Sequence, residues 1–118
     1  MKIALRGGHS ENQPGAIGIV KEYEEMQRLF ASLSPMLTAT GHTIVDCNTY
    51  GGIVYDVVHG VHVANTTHGV DLFISLHMNS DRDKSDKTGY GVEVFTFDDR
   101  SISNAFAIPI EKSIAALG

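Results

Sequence analysis

The chain has 118 residues, room for one domain, and its 42% hydrophobic and 19% charged content with Gly 12 and Pro 3 excludes a disordered, collagen-like or low-complexity protein. No apolar run approaches the roughly 20 residues of a membrane-spanning helix, so no membrane partner is expected. Nine Lys and Arg against 14 Asp and Glu give a formal charge of -5 without a basic cluster, which argues against nucleic acid as a partner.

Lys2–Arg6 is short and apolar and stops at Gly7-Gly8, the pattern of a first buried strand. The glycines also arrive too early for the apolar region of a signal peptide. Synthesis in the cytoplasm is therefore expected, and a role outside the cell needs another route. Residues 7–19 hold Gly7, Gly8, Pro14, Gly15 and Gly18 among polar side chains and read as a loop. From Glu22 the period changes. Met26, Leu29, Phe30, Leu33 and Leu37 form the stripe of an amphipathic helix. Glu22, Glu24 and Glu25 fall in its first turn, where the helix dipole favours negative charge. Pro35 removes one helical hydrogen bond and predicts a kink or a tightened last stretch before Gly41. His42–Cys47 alternates enough for a second strand.

Residues 53–67 carry two patterns at once. Val54, Val57, Val58 and Val61 fit a helical stripe, whereas valine favours strands and Gly60 suits neither. The length of the run, and its place between two strands as in a βαβ crossover, decide for a helix. Val70–Leu76 is nearly all apolar, as expected of a central strand covered on both faces. Ser80–Gly89 reads as a polar loop, Gly91–Phe97 as a strand nearer the sheet edge, and Ser101–Leu117 as a closing helix interrupted by Pro109. The order βαβαββα predicts a single α/β layered domain over residues 1–118, with a largely parallel sheet flanked by helices.

In open α/β sheets, ligands collect beyond the carboxyl ends of the strands. His9 follows the first strand and His77 the third, and right-handed crossovers tend to make sequential parallel strands neighbours. Two imidazoles then face one crevice. Glu22 opens the helix that leaves the first loop, so its carboxylate can point back to the same place. Two His and one carboxylate suffice for catalytic zinc and leave a fourth position for water. A blander reading stands beside this one: a His after a strand commonly caps or hydrogen-bonds, and Glu22 can be a plain helix-start carboxylate. Glu22 and Glu25 lie three apart on one face, and Glu24 competes too, so helical spacing does not choose among them.

The other candidates are weaker. His42 begins the second strand, at the opposite end of the sheet. His59 and His62 lack a third ligand and read as a solvated helix face, and His68 fits a helix C-terminal turn. Cys47 stands alone, which excludes an internal disulfide and a Cys-based zinc finger, and it has no evident partner base. Neither a Gly-x-Ser-x-Gly elbow nor a phosphate loop is present. Asp81–Asp86 lacks the Gly and closing Glu of a calcium loop and reads as solvated.

An ordered set of short motifs runs through nearly the whole chain: Arg6-Gly7-Gly8-His9-Ser10, Pro14-Gly15-Ala16, Val20-Lys21-Glu22-Tyr23, Ala39-Thr40-Gly41-His42-Thr43-Ile44, Asp71 to Asn79, and Gly89-Tyr90-Gly91-Val92-Glu93-Val94-Phe95. Together they resemble the zinc-dependent N-acetylmuramoyl-L-alanine amidases, particularly the catalytic domains of phage and prophage endolysins. The resemblance implies Zn2+ held by His9, Glu22 and His77, which selects Glu22 over Glu25. It implies hydrolysis of the amide between N-acetylmuramic acid and the L-alanine of the peptidoglycan stem, at the bacterial cell wall after release or export. It further implies a general-base Glu in a later strand, which would lie beyond Gly118. Glu93 and Glu11 do not occupy the matching position; Glu93 is a substitute candidate that reads better as a structural group near the site. The expectation is thus an amidase domain without the family's last strands, or alternatively a catalytically incomplete zinc- or cell-wall-binding fragment. An exposed edge at Gly91–Phe97 then predicts self-association, or pairing with a missing C-terminal segment.

Overall fold

Lys2–Gly7 forms strand β1, buried from Ile3 onward and flanked on both sides by parallel strands. β2 (Thr43–Asp46) and β3 (Leu72–Leu76) pair with it in the order β2-β1-β3. The computed structural model describes residues 1–51, 55–80, 91–98 and 101–117. The chain divides into two units, Met1–Ser80 and Asp81–Gly118.

The α/β class and the parallel pairing of β1 with β3 are as predicted, but the order of strands corrects the sequence reading. β1 is the central strand and β3 an edge of the described sheet. In β3, half-buried Leu72, Ile74 and Leu76 alternate with exposed Phe73 and Ser75. An apolar run reports what a strand can bury, whereas its neighbours decide what it does bury. Asp71 stays outside β3, where its carboxylate accepts the backbone N–H of Lys2 at 2.7 Å.

Two helices cover the first unit's sheet. On one face of β1, Ala4 packs with Cys47 and with Ala64 of helix α2 (Asp56–Thr66). Two residues along the same face, the buried Arg6 donates from Nη2 to Asp56 Oδ2 and from Nη1 to the Asp56 carbonyl, each at 2.9 Å. The helix reading of 53–67 is met from Asp56; residues 53 and 54 lie outside the described residues. Gly60, so unhelpful to a helix by propensity, sits over that guanidinium. A Cβ there would stand 2.9 Å from Arg6 Nη1 and 3.0 Å from the Cys47 carbonyl.

On the opposite face, Gly7 lies against the backbone of Met26 in helix α1 (Glu22–Ala39). The predicted stripe divides: Met26 is buried, Phe30, Leu33 and Leu37 are half-buried, and Leu29 faces solvent. Beyond Pro35 the last stretch tightens, with the Thr40 N–H shared between the Met36 and Leu37 carbonyls.

In the second unit, helix α3 (Asn104–Ala115) contains Pro109 and starts three residues later than predicted, after a turn in which the Asn104 N–H reaches the Ser101 carbonyl. The predicted strand Gly91–Phe97 is not formed: among the described residues 91–98 join no ladder, so the order is βαβαβα. Alternation alone does not make a strand, because the backbone groups of a strand need a partner's. The predicted loop at 81–89 and Tyr90 lie outside the described residues. Among those described, no helix is long and apolar enough to cross a membrane.

Candidate metal centre

Three side chains from separate elements meet at the carboxyl end of the sheet. His9 lies just past β1, where the Gly8 N–H still reaches the Leu76 carbonyl at 2.6 Å. Its backbone adopts φ 70, the left-handed region that His tolerates better than most side chains. This reverses the chain so that Nε2 comes within 3.2 Å of Glu22 Oε2. His77 follows β3 directly, with Nδ1 3.2 Å from Glu22 Oε1 and Nε2 3.1 Å from Ser75 Oγ. The two rings stand edge to face, with centroids 4.9 Å apart.

Glu22 is the first residue of α1 and is 4% exposed. Lys21 offers no side-chain cap, and the loop before it serves instead: the Glu22 and Tyr23 N–H groups donate to the Ala16 and Pro14 carbonyls. In return the Ala16 N–H donates to Glu22 Oε2 at 3.0 Å and the Met78 N–H to Oε1 at 2.8 Å. Burial works against the charge on Glu22. These two N–H groups, with His9 and His77 facing it, outweigh burial and hold its carboxyl below the ordinary value. Gly15 completes the loop at φ 71, with its Cα so close that a Cβ would stand 2.5 Å from both Glu22 Oε2 and His9 Cδ2.

The competing acids face elsewhere. Glu24 pairs with Lys21 at 2.9 Å, and Glu25 pairs with Arg28. Glu11 is exposed in the first loop, and Glu93 is exposed in the second unit. Among the described residues, His9, Glu22 and His77 form the one grouping that could hold a metal ion, each offering a ligand atom within 4.8 Å of the others. Beside it an open groove of about 490 Å³ runs along α1, lined by Val20, Met26, Leu29 and Met78 among others.

Sequence reasoning missed three kinds of contributor. The N–H groups of Ala16 and Met78 carry no sequence signal, because any non-proline residue supplies one. Ser75 stands inside an apolar strand, where a single hydroxyl gives no pattern of its own. Asn48 is the third: its Oδ1 accepts the Gly7 N–H at 2.9 Å and Gln27 Nε2 at 3.0 Å, while Asp46 holds its amide. A polar residue at the carboxyl end of a parallel strand is the signal that could have found it.

The sequence profile of the N-acetylmuramoyl-L-alanine amidases matches residues 3–117. Two relatives are uncharacterized proteins of Clostridium perfringens. One, from strain 13, is 35% identical over 86 residues, covering 71% of this chain and 25% of its own. The other, of 38.4 kDa, is 36% identical over 88 residues, covering 73% and 25%. The chain thus spans about a quarter of the length of the curated relatives it matches. No solved structure matches it significantly. With its α/β fold and with the profile matched over nearly its whole length, the chain belongs to the N-acetylmuramoyl-L-alanine amidase family.

Proposed function

We propose that this chain is a zinc hydrolase of peptidoglycan, cleaving the amide between N-acetylmuramic acid and L-alanine, with His9, Glu22 and His77 as the metal ligands. The observation that carries the reading is their convergence at the carboxyl end of the parallel sheet. The donor set fits zinc in type and number, two imidazoles and one carboxylate with a position left open. Ring nitrogens and carboxylate oxygens turned toward one another at 3.2 Å suit a shared cation. When bound there, zinc supplies Lewis-acid polarisation of a carbonyl and a lowered pKa for water. The chain's own part is to hold the donors. α1 presents Glu22, two backbone N–H groups fix its oxygens, and the left-handed turn at His9 aims one ring.

The match over residues 3–117 supports reading the whole chain as one domain. An endolysin-type role at the bacterial cell wall, of phage or prophage origin, belongs to the same proposal. Self-association does too, and exposed Phe95 and Phe97 support it. Light scattering tests that part.

The test of function has two arms. His77→Ala is expected to lose stoichiometric zinc after dialysis, while His59→Ala keeps it; equal retention would sink the ligand assignment. The second arm follows cleavage of a purified muropeptide by mass spectrometry, with His9→Ala as the metal-free control. A second reading, a metal-holding portion without full activity, rests on the cluster itself. Its single carboxylate is committed as a ligand, and a positioned base contributes about 10²- to 10⁴-fold in rate. Robust zinc-dependent cleavage by residues 1–118 excludes that second reading and directs the search for a base to Glu93 and Glu11.

A further inference from the structure

We infer that Ser75 is a positioning residue for His77, holding its Nε2 so that Nδ1 is the nitrogen presented to the metal; this rests on the zinc reading above. β3 alternates, so residues two apart share a face, and Ser75 stands two before His77. Its Oγ lies 3.1 Å from Nε2, while Nδ1, on the other side of the ring, lies 3.2 Å from Glu22 Oε1. Each ring nitrogen thus has its own partner. With a metal in place the hydroxyl accepts the Nε2 proton and leaves the Nδ1 lone pair for the ion; without one, Nδ1 donates to the Glu22 carboxylate and the hydroxyl donates to Nε2. His9 is arranged the other way round, with Nε2 facing Glu22 Oε2.

The ring needs such a hold. The His77 side chain is 44% exposed, so packing alone leaves it room to turn about its χ angles. Partners of the second nitrogen of a ligating His fix its tautomer and orientation, and losing one typically costs 10- to 100-fold in metal affinity. A neutral hydroxyl belongs at the lower end of that range, so removal of the Ser75 hydroxyl is expected to weaken zinc binding about tenfold. Ser75 is exposed, and its replacement leaves the buried core untouched.

The discriminating pair is Ser75→Thr against Ser75→Val, two β-branched residues that suit a strand and differ by a hydroxyl for a methyl. Zinc affinity is read by competition with a chromophoric chelator, and the His77 ring by ¹⁵N NMR at mildly alkaline pH. Thr is expected to keep wild-type affinity and Val to lose about tenfold, with the zinc-loaded wild-type ring protonated on Nε2. Equal zinc affinity in the two variants overturns the inference. A zinc-loaded ring protonated on Nδ1 also overturns it. If wild type itself fails to bind zinc, the zinc reading falls, and the zinc-free spectra decide on Ser75. Identical His77 ring shifts in the Thr and Val variants overturn the inference there, and a change confined to Val sustains it.

Discussion

Glu22→Gln tests the arrangement at its centre, because it keeps the size of the side chain and changes which atoms can accept. Both carboxylate oxygens receive a backbone N–H, Oε2 from Ala16 at 3.0 Å and Oε1 from Met78 at 2.8 Å. Glutamine has one oxygen and one NH₂. Whichever way the amide is turned, its NH₂ confronts one of the two N–H groups and leaves it unpaired. A buried polar group without a partner costs about 1–3 kcal/mol, which is the expected loss of stability in the zinc-free protein. Against a total of about 5–15 kcal/mol for a domain, the variant still folds. Zinc is a separate matter: the amide carries no charge, and stoichiometric metal is expected to be lost. The assay pairs urea unfolding in the presence of a chelator with metal analysis after dialysis. Glu25→Gln serves as control, since Glu25 faces Arg28 at the surface and should stay within about 0.5 kcal/mol of wild type. A Glu22→Gln protein with wild-type stability and a full complement of zinc would refute the reasoning.

Three further outcomes follow from the geometry. Gly15→Ala puts a Cβ into the cluster at a left-handed position, which costs about 1–2 kcal/mol for the backbone alone, and it should lower zinc affinity with unchanged far-UV circular dichroism. Asp56→Ala leaves the Arg6 guanidinium buried without its counter-ion and should cost about 3–5 kcal/mol by urea unfolding; a loss below about 1 kcal/mol would show that the pair does not anchor α2. The Tyr50 phenol, in a residue that is 60% exposed, is pushed up to about 12 by partial desolvation of its hydroxyl end and by the Asp46 carboxylate to which it donates at 2.7 Å; it should be a late tyrosine in an alkaline absorbance titration, and Tyr50→Phe should remove that late step. Because its folded pKa is raised, its contribution to stability is whole below the ordinary phenol value of 10.0 and is lost as pH rises through about 12.

Much of the first unit was legible in the sequence because its signals are local. The period of Met26, Phe30, Leu33 and Leu37, the glycines that stop β1, and the apolar run of β3 each report a backbone state that neighbours within a few residues can set. The placing of His9 and His77 after parallel strands followed from the same logic, since chain direction alone sends both to one edge of the sheet. Which acid joins them did not follow from spacing, and only the family resemblance selected Glu22. Glu22 and Glu25 are indistinguishable by helical spacing, and they separate only because the loop from His9 to Lys21 folds back and buries one of them. The same holds for Gly60, a poor helix residue until Arg6 is seen beneath it, and for Gly91–Phe97, whose alternation formed no ladder. Local pattern determined which elements the chain can form. Only tertiary structure decided which strand is central, which carboxylate is enclosed and which ring nitrogen faces it, because each of these depends on atoms brought from distant parts of the chain.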